Sequence, residues 1–135
     1  MIYEINPFHG VGKLSFGESR DNLRRELGGA VESFRKTAGA NETDAYDDLG
    51  MHLYFDNQDR LEFVELFEPA QVVFRGVKLI GRDAETVKMR LAKLGWASSE
   101  TDIGYQWDQA GFSFFPQTGE IEGVGVFRRG YYDED

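Results

Sequence analysis

Residues 49–67 read LGMHLYFDNQDRLEFVELF, and they carry the clearest structural pattern in the chain. Apolar and polar side chains alternate on both sides of a polar turn at residues 56–59. Such alternation is typical of two half-buried strands joined as a β-hairpin. A second hairpin is predicted over 111–129, with its turn at 117–119. We expect the rest of the chain to be arranged around these two hairpins.

A helix is predicted ahead of each hairpin. The first spans about 19–27, because Ser19 suits the N-cap and Gly28 suits the position after the last turn. The second spans about 83–94, with Asp83 as its N-cap and an apolar stripe formed by Val87, Leu91 and Leu94. The other segments are predicted as a strand at 1–8, a loop at 10–12, a strand at 30–36, a polar loop at 37–44, a bent strand within 71–80 and one or two strands within 96–107.

The sequence of the first half recurs in the second half. The spacing of Gly12 and Gly17 before the first helix is repeated by Gly76 and Gly81 before the second. Helix and hairpin positions also match between halves of about 10–68 and 74–129, although coincidence between two ordinary αβ units would give a similar pattern. The sequence therefore predicts a single α+β domain over 1–135. It would be a tandem duplication of a helix plus antiparallel strands, with both helices packed on one face of the sheet.

Alternation along the hairpins separates the two faces of the predicted sheet. One face is expected to form the core, and its residues are Met51, Leu53, Phe55, Val64, Leu66, Phe112, Phe114, Val124 and Val126. The opposite face carries the candidate partner-binding residues, which are His52, Tyr54, Phe63, Glu65, Phe67 and Phe115. Exposed aromatic rings of this kind would bind a protein. In the other interpretation, loops or the termini cover the rings as a second small core. Gly123 and Gly125 fit both, because they allow close approach of another group.

Composition narrows the class of partner. The 24 acidic residues outnumber the 15 basic ones and give a net charge of -9. This charge argues against binding nucleic acid through its phosphates, and it suits either a basic protein partner or simple solubility. The chain has no cysteine, and it shows no apolar run long enough for a membrane span and no secretory signal. We expect a cytoplasmic location.

Residue spacing gives no sign of catalysis or of metal or cofactor binding. His9 and His52, the two histidines, have no neighbours at metal-ligand spacing. The closest carboxylate pair on a predicted strand is Glu62 and Glu65, which should point to opposite faces of the sheet. No phosphate-binding loop, dinucleotide motif or serine-nucleophile motif is present in the sequence. The sequence therefore predicts a protein that is not an enzyme, with no catalytic, metal-binding or cofactor-binding residues.

The first loop-to-helix segment, FGESRDNLRRELG at residues 16–28, resembles the opening of repeats in the β-lactamase-inhibitor-protein-like and BamE-like families. In those repeats a glycine, a small polar cap and a leucine-glycine pair begin a helix that leads into antiparallel strands. The chain departs from exported members in lacking their lipoprotein signal and cysteines. The layout, ending in RRGYY at 128–132, is also similar to small bacterial proteins, some of which look like toxin immunity proteins. The resemblance implies protein binding rather than catalysis, and it assigns no site residues.

Three functional hypotheses follow. The first is a non-enzymatic protein-binding module, of the immunity or inhibitor kind, that uses the acidic aromatic sheet face. The alternative is a small-ligand binder or enzyme with a cleft between the two halves where Tyr46, Asp47, Trp107 and Asp108 meet. The third is a homodimer formed through an edge strand or through the aromatic face.

Overall fold

A computed structural model describes residues 2–29, 31–35 and 41–132 of the chain. The helices in these ranges are α1 (Arg20–Leu27) and α2 (Ala84–Lys93), together with a short 3-10 helix at Asp47–Leu49. The strands of the first half are β1 (Ile2–Asn6), β2 (Gly10–Val11), β3 (Leu14–Ser15), β4 (Glu32–Arg35), β5 (Glu42–Tyr46), β6 (Met51–Phe55) and β7 (Leu61–Phe67). Those of the second half are β8 (Gln71–Phe74), β9 (Val77–Lys78), β10 (Ser99–Glu100), β11 (Tyr105–Trp107), β12 (Phe112–Phe115) and β13 (Gly123–Phe127).

These strands form two sheets, and the fold is α+β as predicted. The larger sheet is antiparallel, and its eight strands run in the order β10-β11-β12-β13-β7-β6-β5-β4. The smaller sheet has the order β3-β2-β1-β8-β9, with β1 and β8 parallel to each other. The two predicted hairpins lie side by side at the centre of the larger sheet, where β7 pairs with β13. The smaller sheet is not predicted from the sequence.

Both helices begin at their predicted caps. The Ser19 hydroxyl accepts a hydrogen bond from the Asn22 N–H in α1, and the Asp83 carboxylate accepts one from the Thr86 N–H in α2. Leu23 of α1 and both Val87 and Leu91 of α2 are buried in one hydrophobic core cluster. The prediction that Leu94 completes the apolar stripe is wrong, because it follows the last turn of α2 and is 55% exposed.

Three short segments differ from the prediction. Gly10 and Val11, predicted as a loop, pair with both β1 and β3. Residues 42–44, predicted as the end of a polar loop, belong to β5, and residues 36–40 of the predicted strand and loop lie outside the described residues. The predicted bent strand at 71–80 is a tight hairpin of β8 and β9. It reverses because Arg75 (φ 50°) and Gly76 (φ 80°) both adopt left-handed backbone conformations, which two-residue hairpin turns favour.

The core lies where the alternation pattern predicts. All nine residues assigned to the inner face of the larger sheet are buried. Trp107 stacks on Phe112 with ring centroids 4.8 Å apart, and Phe112 contacts Phe74 of the smaller sheet at the same distance. Aromatic packing therefore joins the two sheets.

Backbone contacts at the start of each helix recur in both halves. The Gly17 N–H donates to the Leu61 carbonyl at 2.9 Å, and the Gly81 N–H donates to the Ile121 carbonyl at 2.8 Å. In the return direction, the Leu61 N–H donates to the residue after Gly17 and the Ile121 N–H donates to the residue after Gly81. The segment ahead of α1 is thereby bonded to the first residue of β7, and the segment ahead of α2 is bonded to Ile121, two residues ahead of β13.

Neither α1 nor α2 combines the length and apolar character that a membrane crossing requires.

Candidate functional site

The structure brings all six predicted partner-binding residues onto one face of the larger sheet. We call this surface the aromatic face, and it consists of His52, Tyr54, Phe63, Glu65, Phe67 and Phe115. The strand register pairs His52 with Glu65 and Tyr54 with Phe63 across β6 and β7. All six side chains are half-buried, so each presents part of its surface to solvent. Their common face follows from the two-residue period of the strands.

Glu65 holds the polar centre of the aromatic face. The Tyr54 hydroxyl donates a hydrogen bond to Glu65 Oε1 at 3.2 Å, and His52 Nδ1 lies 3.6 Å from the same oxygen. The other ring nitrogen of His52, Nε2, lies 2.9 Å from Oδ1 of Asp47. Burial, followed by the charge of Glu65, raises the pKa of Tyr54, so the phenol stays protonated and keeps donating. The network runs from Asp47 through His52 and Glu65 to Tyr54.

Two glycines opposite Glu65 and its neighbours let aromatic rings lie across the sheet. A Cβ atom at Gly125 would lie 2.6 Å from the outer edge of the Phe63 ring, and one at Gly123 would lie 2.3 Å from that of Phe115. No real side chain fits at these distances without moving the ring. The predicted close approach at both glycines is confirmed, and the approaching groups come from the neighbouring strands.

The C-terminal segment covers one end of the aromatic face. The Tyr131 ring lies 5.1 Å from that of Phe63, and the Tyr132 ring lies 4.9 Å from that of Phe127. Phe127 is thereby buried. The C-terminal segment therefore covers the end of the face near Phe63, as the interpretation of a second small core predicts, and Phe63 itself stays half-buried. The other predicted residues of the face also keep part of their surface in solvent, and a protein-binding role for them stays a prediction.

Sequence reasoning missed Phe34 and Asp47 as neighbours of His52 on the aromatic face. Phe34 of β4 packs edge-on to His52 with ring centroids 5.5 Å apart, beside the predicted residue Phe67, whose ring lies 5.0 Å from that of His52. Phe34 reaches this place because β4 pairs with β5, whose residues 42–44 are predicted as the end of a loop. Asp47 is predicted from the sequence only as part of the cleft and of a carboxylate pair with Asp48, and not as a neighbour of His52. Residues 42–46 read ETDAY and do not alternate between polar and apolar side chains, so no strand signal marks β5 in the sequence.

A buried ion-pair cluster lies beside α1, where no site was predicted. Asp44 is fully buried, and its Oδ1 accepts hydrogen bonds from Arg20 Nη2 at 2.6 Å and from Arg24 Nη2 at 2.8 Å. Ser33 donates to the same oxygen, and Arg24 Nε donates to Oδ2 at 2.8 Å. Burial raises the pKa of Asp44, but the hydrogen bonds and charges of the two arginines outweigh it and leave this pKa below its usual value. Its donors and acceptors face one another, so we interpret the cluster as a tether between α1 and β5.

The residues of the alternative, the cleft between the halves, do not meet. Tyr46 lies on β5 and Trp107 on β11, and four strands separate β5 from β11 in the larger sheet. At about 4.8 Å per strand this separation is roughly 24 Å. Both rings are buried in the core, whereas Asp47 and Asp108 are exposed. Tyr46-Asp47 and Trp107-Asp108 therefore each precede one of the two hairpins and form no common site.

Other chemistry is sparse in the part of the chain that the structure describes. Within residues 2–29, 31–35 and 41–132, no group of three or more histidine, cysteine, aspartate or glutamate side chains is arranged to hold a metal ion. No protein-family model matches the chain, and no curated protein and no solved structure matches it. Function is therefore inferred from geometry and charge.

Proposed function

We propose that this chain is a non-enzymatic protein-binding module of the immunity or inhibitor kind, which contacts its partner through the aromatic face. The observation that carries the proposal is the ring cluster around the Glu65 carboxylate, half-exposed on one side of a continuous eight-stranded sheet. Aromatic side chains that keep part of their surface in solvent are typical of interface hot spots. A rigid sheet holds them in place before the partner arrives, which lowers the entropic cost of binding.

The chemistry of Glu65 favours a basic group on the partner. Its Oε1 accepts the Tyr54 hydroxyl, whereas Oε2 accepts no hydrogen bond from any described residue. An arginine or lysine of the partner can bond to Oε2 while its apolar stem packs on the rings of Phe67 and Phe115. The net charge of -9 would also speed the encounter with a basic protein.

We further infer that the domain, spanning 1–135, is a tandem duplication whose helices both pack on one face of the larger sheet. Matched hydrogen bonds support it, because the Phe67 N–H donates to the Gly50 carbonyl and the Phe127 N–H donates to the Gly111 carbonyl, both at 2.9 Å. The strand order supports it as well. Read inward from the two edges of the larger sheet, the strands of the halves follow the same sequence, β4-β5-β6-β7 from one edge and β10-β11-β12-β13 from the other. A pseudo-two-fold axis would pass between Glu65 and its cross-strand partner, so the aromatic face lies at the join of the halves.

The proposal also covers the cellular location, the absence of catalysis and self-association. We place the protein in the cytoplasm, since a cysteine-free chain needs no oxidising compartment. We also propose that it does not catalyse a reaction, since the polar network of Asp47, His52, Glu65 and Tyr54 lies on an open, half-exposed face rather than in a cleft that excludes water. Self-association through the same face would give a homodimer and would compete with partner binding.

The test is photo-crosslinking from a chosen side of the molecule. Benzoylphenylalanine replaces Phe115 on the aromatic face, and in a matched control it replaces Met89, which is 62% exposed on α2. In cells of the native host, irradiation should join the residue-115 probe to one partner, through a peptide that contains arginine or lysine. Adding Glu65→Lys should abolish this product.

Two results would contradict the proposal. One is capture of the same partner from residue 89 as efficiently as from residue 115. The other is a crosslink at 115 that Glu65→Lys leaves unchanged. Light scattering of the purified protein separates self-association from partner binding, because a product between two copies of the chain would identify the homodimer instead.

A further inference from the structure

Two adjoining cavities lie away from the aromatic face, between β8, β9 and the beginning of α2. Their volumes are about 250 Å³ and 320 Å³, and both are lined by Lys78 and Arg82. The larger one is also lined by Thr86 and Arg90 of α2. Three cationic side chains therefore border one groove on a protein of net charge -9.

These cations have no ionic partner in the described part of the chain. The ion pairs formed there involve Arg20, Arg24, His52 and Arg128, and none involves Lys78, Arg82 or Arg90. Bringing three like charges together costs free energy unless a counter-charge joins them. Asp83 is the one acidic residue that lines the larger cavity, so three positive charges border it with a single negative charge, and an anion from outside can join them.

The helix terminus is already occupied. The Asp83 carboxylate accepts hydrogen bonds from the Thr86 N–H at 3.0 Å and from the Thr86 hydroxyl at 2.8 Å. Those two bonds lower the pKa of Asp83 and keep it ionised. A ligand in the groove would therefore be held by the lysine and arginine side chains, and one negative charge at its edge faces three positive ones.

The first half of the chain provides an internal comparison. The residues that match Arg82, Thr86 and Arg90 in spacing after the second glycine are Glu18, Asn22 and Glu26. There the Asn22 amide donates to Glu18 Oε2 at 2.6 Å and to Glu26 Oε1 at 2.8 Å, so two acids take the places of two arginines. Because the same helix start forms with either sign of charge, the fold does not require arginine at these positions.

We propose that this groove binds a small molecule carrying a phosphate or pyrophosphate group. Guanidinium groups bond two oxygens of a phosphate at once, and a lysine ammonium adds a point charge. The volume of the larger cavity is at the lower end of the range for small-molecule sites, which suits a compact anion. The site does not depend on the aromatic face, since no residue is shared between the two.

Calorimetric titration with inorganic pyrophosphate, at a constant ionic strength of about 0.15 M, tests the proposal. Saturable binding of one equivalent is expected. Arg82→Ala with Arg90→Ala should weaken it at least tenfold. The matched control removes the same charge elsewhere through Arg25→Ala with Lys93→Ala, on the exposed sides of α1 and α2, and should weaken it less than twofold. A parallel titration with orthophosphate shows whether one phosphate is enough.

Three results would overturn the proposal: no saturable binding of either anion, equal weakening by both double variants, or binding that chloride at the same ionic strength abolishes. Amide chemical shifts of the unmutated protein provide a second measurement that does not rely on the variants folding. Pyrophosphate should shift the amides of residues 76–90, and shifts concentrated elsewhere would equally refute the site.

Discussion

Removing the charge of Asp44 tests the tether between α1 and the larger sheet. Asp44→Asn keeps the shape of the side chain and one acceptor oxygen but replaces the other oxygen by an NH₂ group, which donates. In the native protein the Asp44 carboxylate accepts bonds from Arg20, Arg24 and Ser33, all shorter than 3.2 Å. The variant therefore leaves guanidinium N–H groups facing a donor in a buried place.

The size of the effect follows from how exposed each arginine is. Breaking a buried ion pair by removing one partner costs about 3–5 kcal/mol. The Arg20 side chain is only 13% exposed and cannot rehydrate in place, whereas that of Arg24 is 38% exposed and can turn toward water. One retained acceptor lowers the cost further, so we expect Asp44→Asn to reduce the free energy of unfolding by about 3 kcal/mol. Domains of this size have a free energy of unfolding of roughly 5–15 kcal/mol, so we expect the variant still to fold.

The effect should also depend on pH. The pKa of Asp44 is lower in the folded chain than in the unfolded one, where it is about 3.9. Protonation therefore favours unfolding. The contribution of the carboxylate is complete well above pH 4 and is lost as the pH falls through the folded pKa. The difference in stability between the native protein and Asp44→Asn should narrow below about pH 4.

Urea unfolding followed by tryptophan fluorescence measures both effects, since the chain has two tryptophans. Asp48→Asn is the control, because it removes the same charge from an exposed carboxylate and should change stability by less than about 0.5 kcal/mol. A loss at Asp44→Asn no larger than that of the control would refute the tether. A stability difference that stays constant from pH 7 to pH 3 would refute the electrostatic explanation of it.

Three other substitutions test a buried hydroxyl and two glycines with positive φ. The Tyr46 hydroxyl is buried without a hydrogen-bond partner among the described residues, so Tyr46→Phe should raise stability by roughly 1 kcal/mol in the same urea assay, and a clear loss would mean that the hydroxyl is satisfied. Gly50 and Gly17 both have positive φ, but a Cβ at Gly50 would lie 2.2 Å from the Phe67 carbonyl oxygen, whereas one at Gly17 meets nothing within 4 Å. Gly17→Ala should therefore cost about 1–2 kcal/mol in thermal unfolding and Gly50→Ala considerably more, and equal costs would contradict the contact.

Short-range sequence patterns were sufficient to predict the two central hairpins and the start of each helix. The alternation from Met51 to Phe67 predicts both strands and the inner face, because one face of each strand is buried and the other is not. Caps such as Ser19 and Asp83 predict where the helices begin, since their side chains satisfy backbone donors within one turn. Each of these signals acts within a few residues along the chain.

The missed parts depend on contacts between distant residues. β5 begins with Glu42, Thr43 and Asp44, which read as a loop until two arginines from α1 make a buried acid favourable. The smaller sheet depends on the parallel pairing of β1 with β8, which no short pattern encodes. The aromatic face shows the same division. Its residues were predicted from strand period, whereas the partial cover by Tyr131 required the path of the C-terminal segment.

The two proposed repeat halves carry different side-chain contacts at matched positions. Arg24 of α1 binds the Asp44 carboxylate, whereas Lys88, at the matching place in α2, lies 4.4 Å from the centre of the Tyr105 ring. Both contacts join a cationic side chain of a helix to a strand of the larger sheet, one through an ion pair and the other through a cation–π contact. Either chemistry can hold the helix against the sheet at that position. At the centre of the aromatic face the match ends, because Glu65 faces Gly125, which has no side chain. Glu65, which contacts Tyr54 and His52, therefore has no side chain opposite it on β13, and this asymmetry is a reason to test the proposed partner for a basic group there.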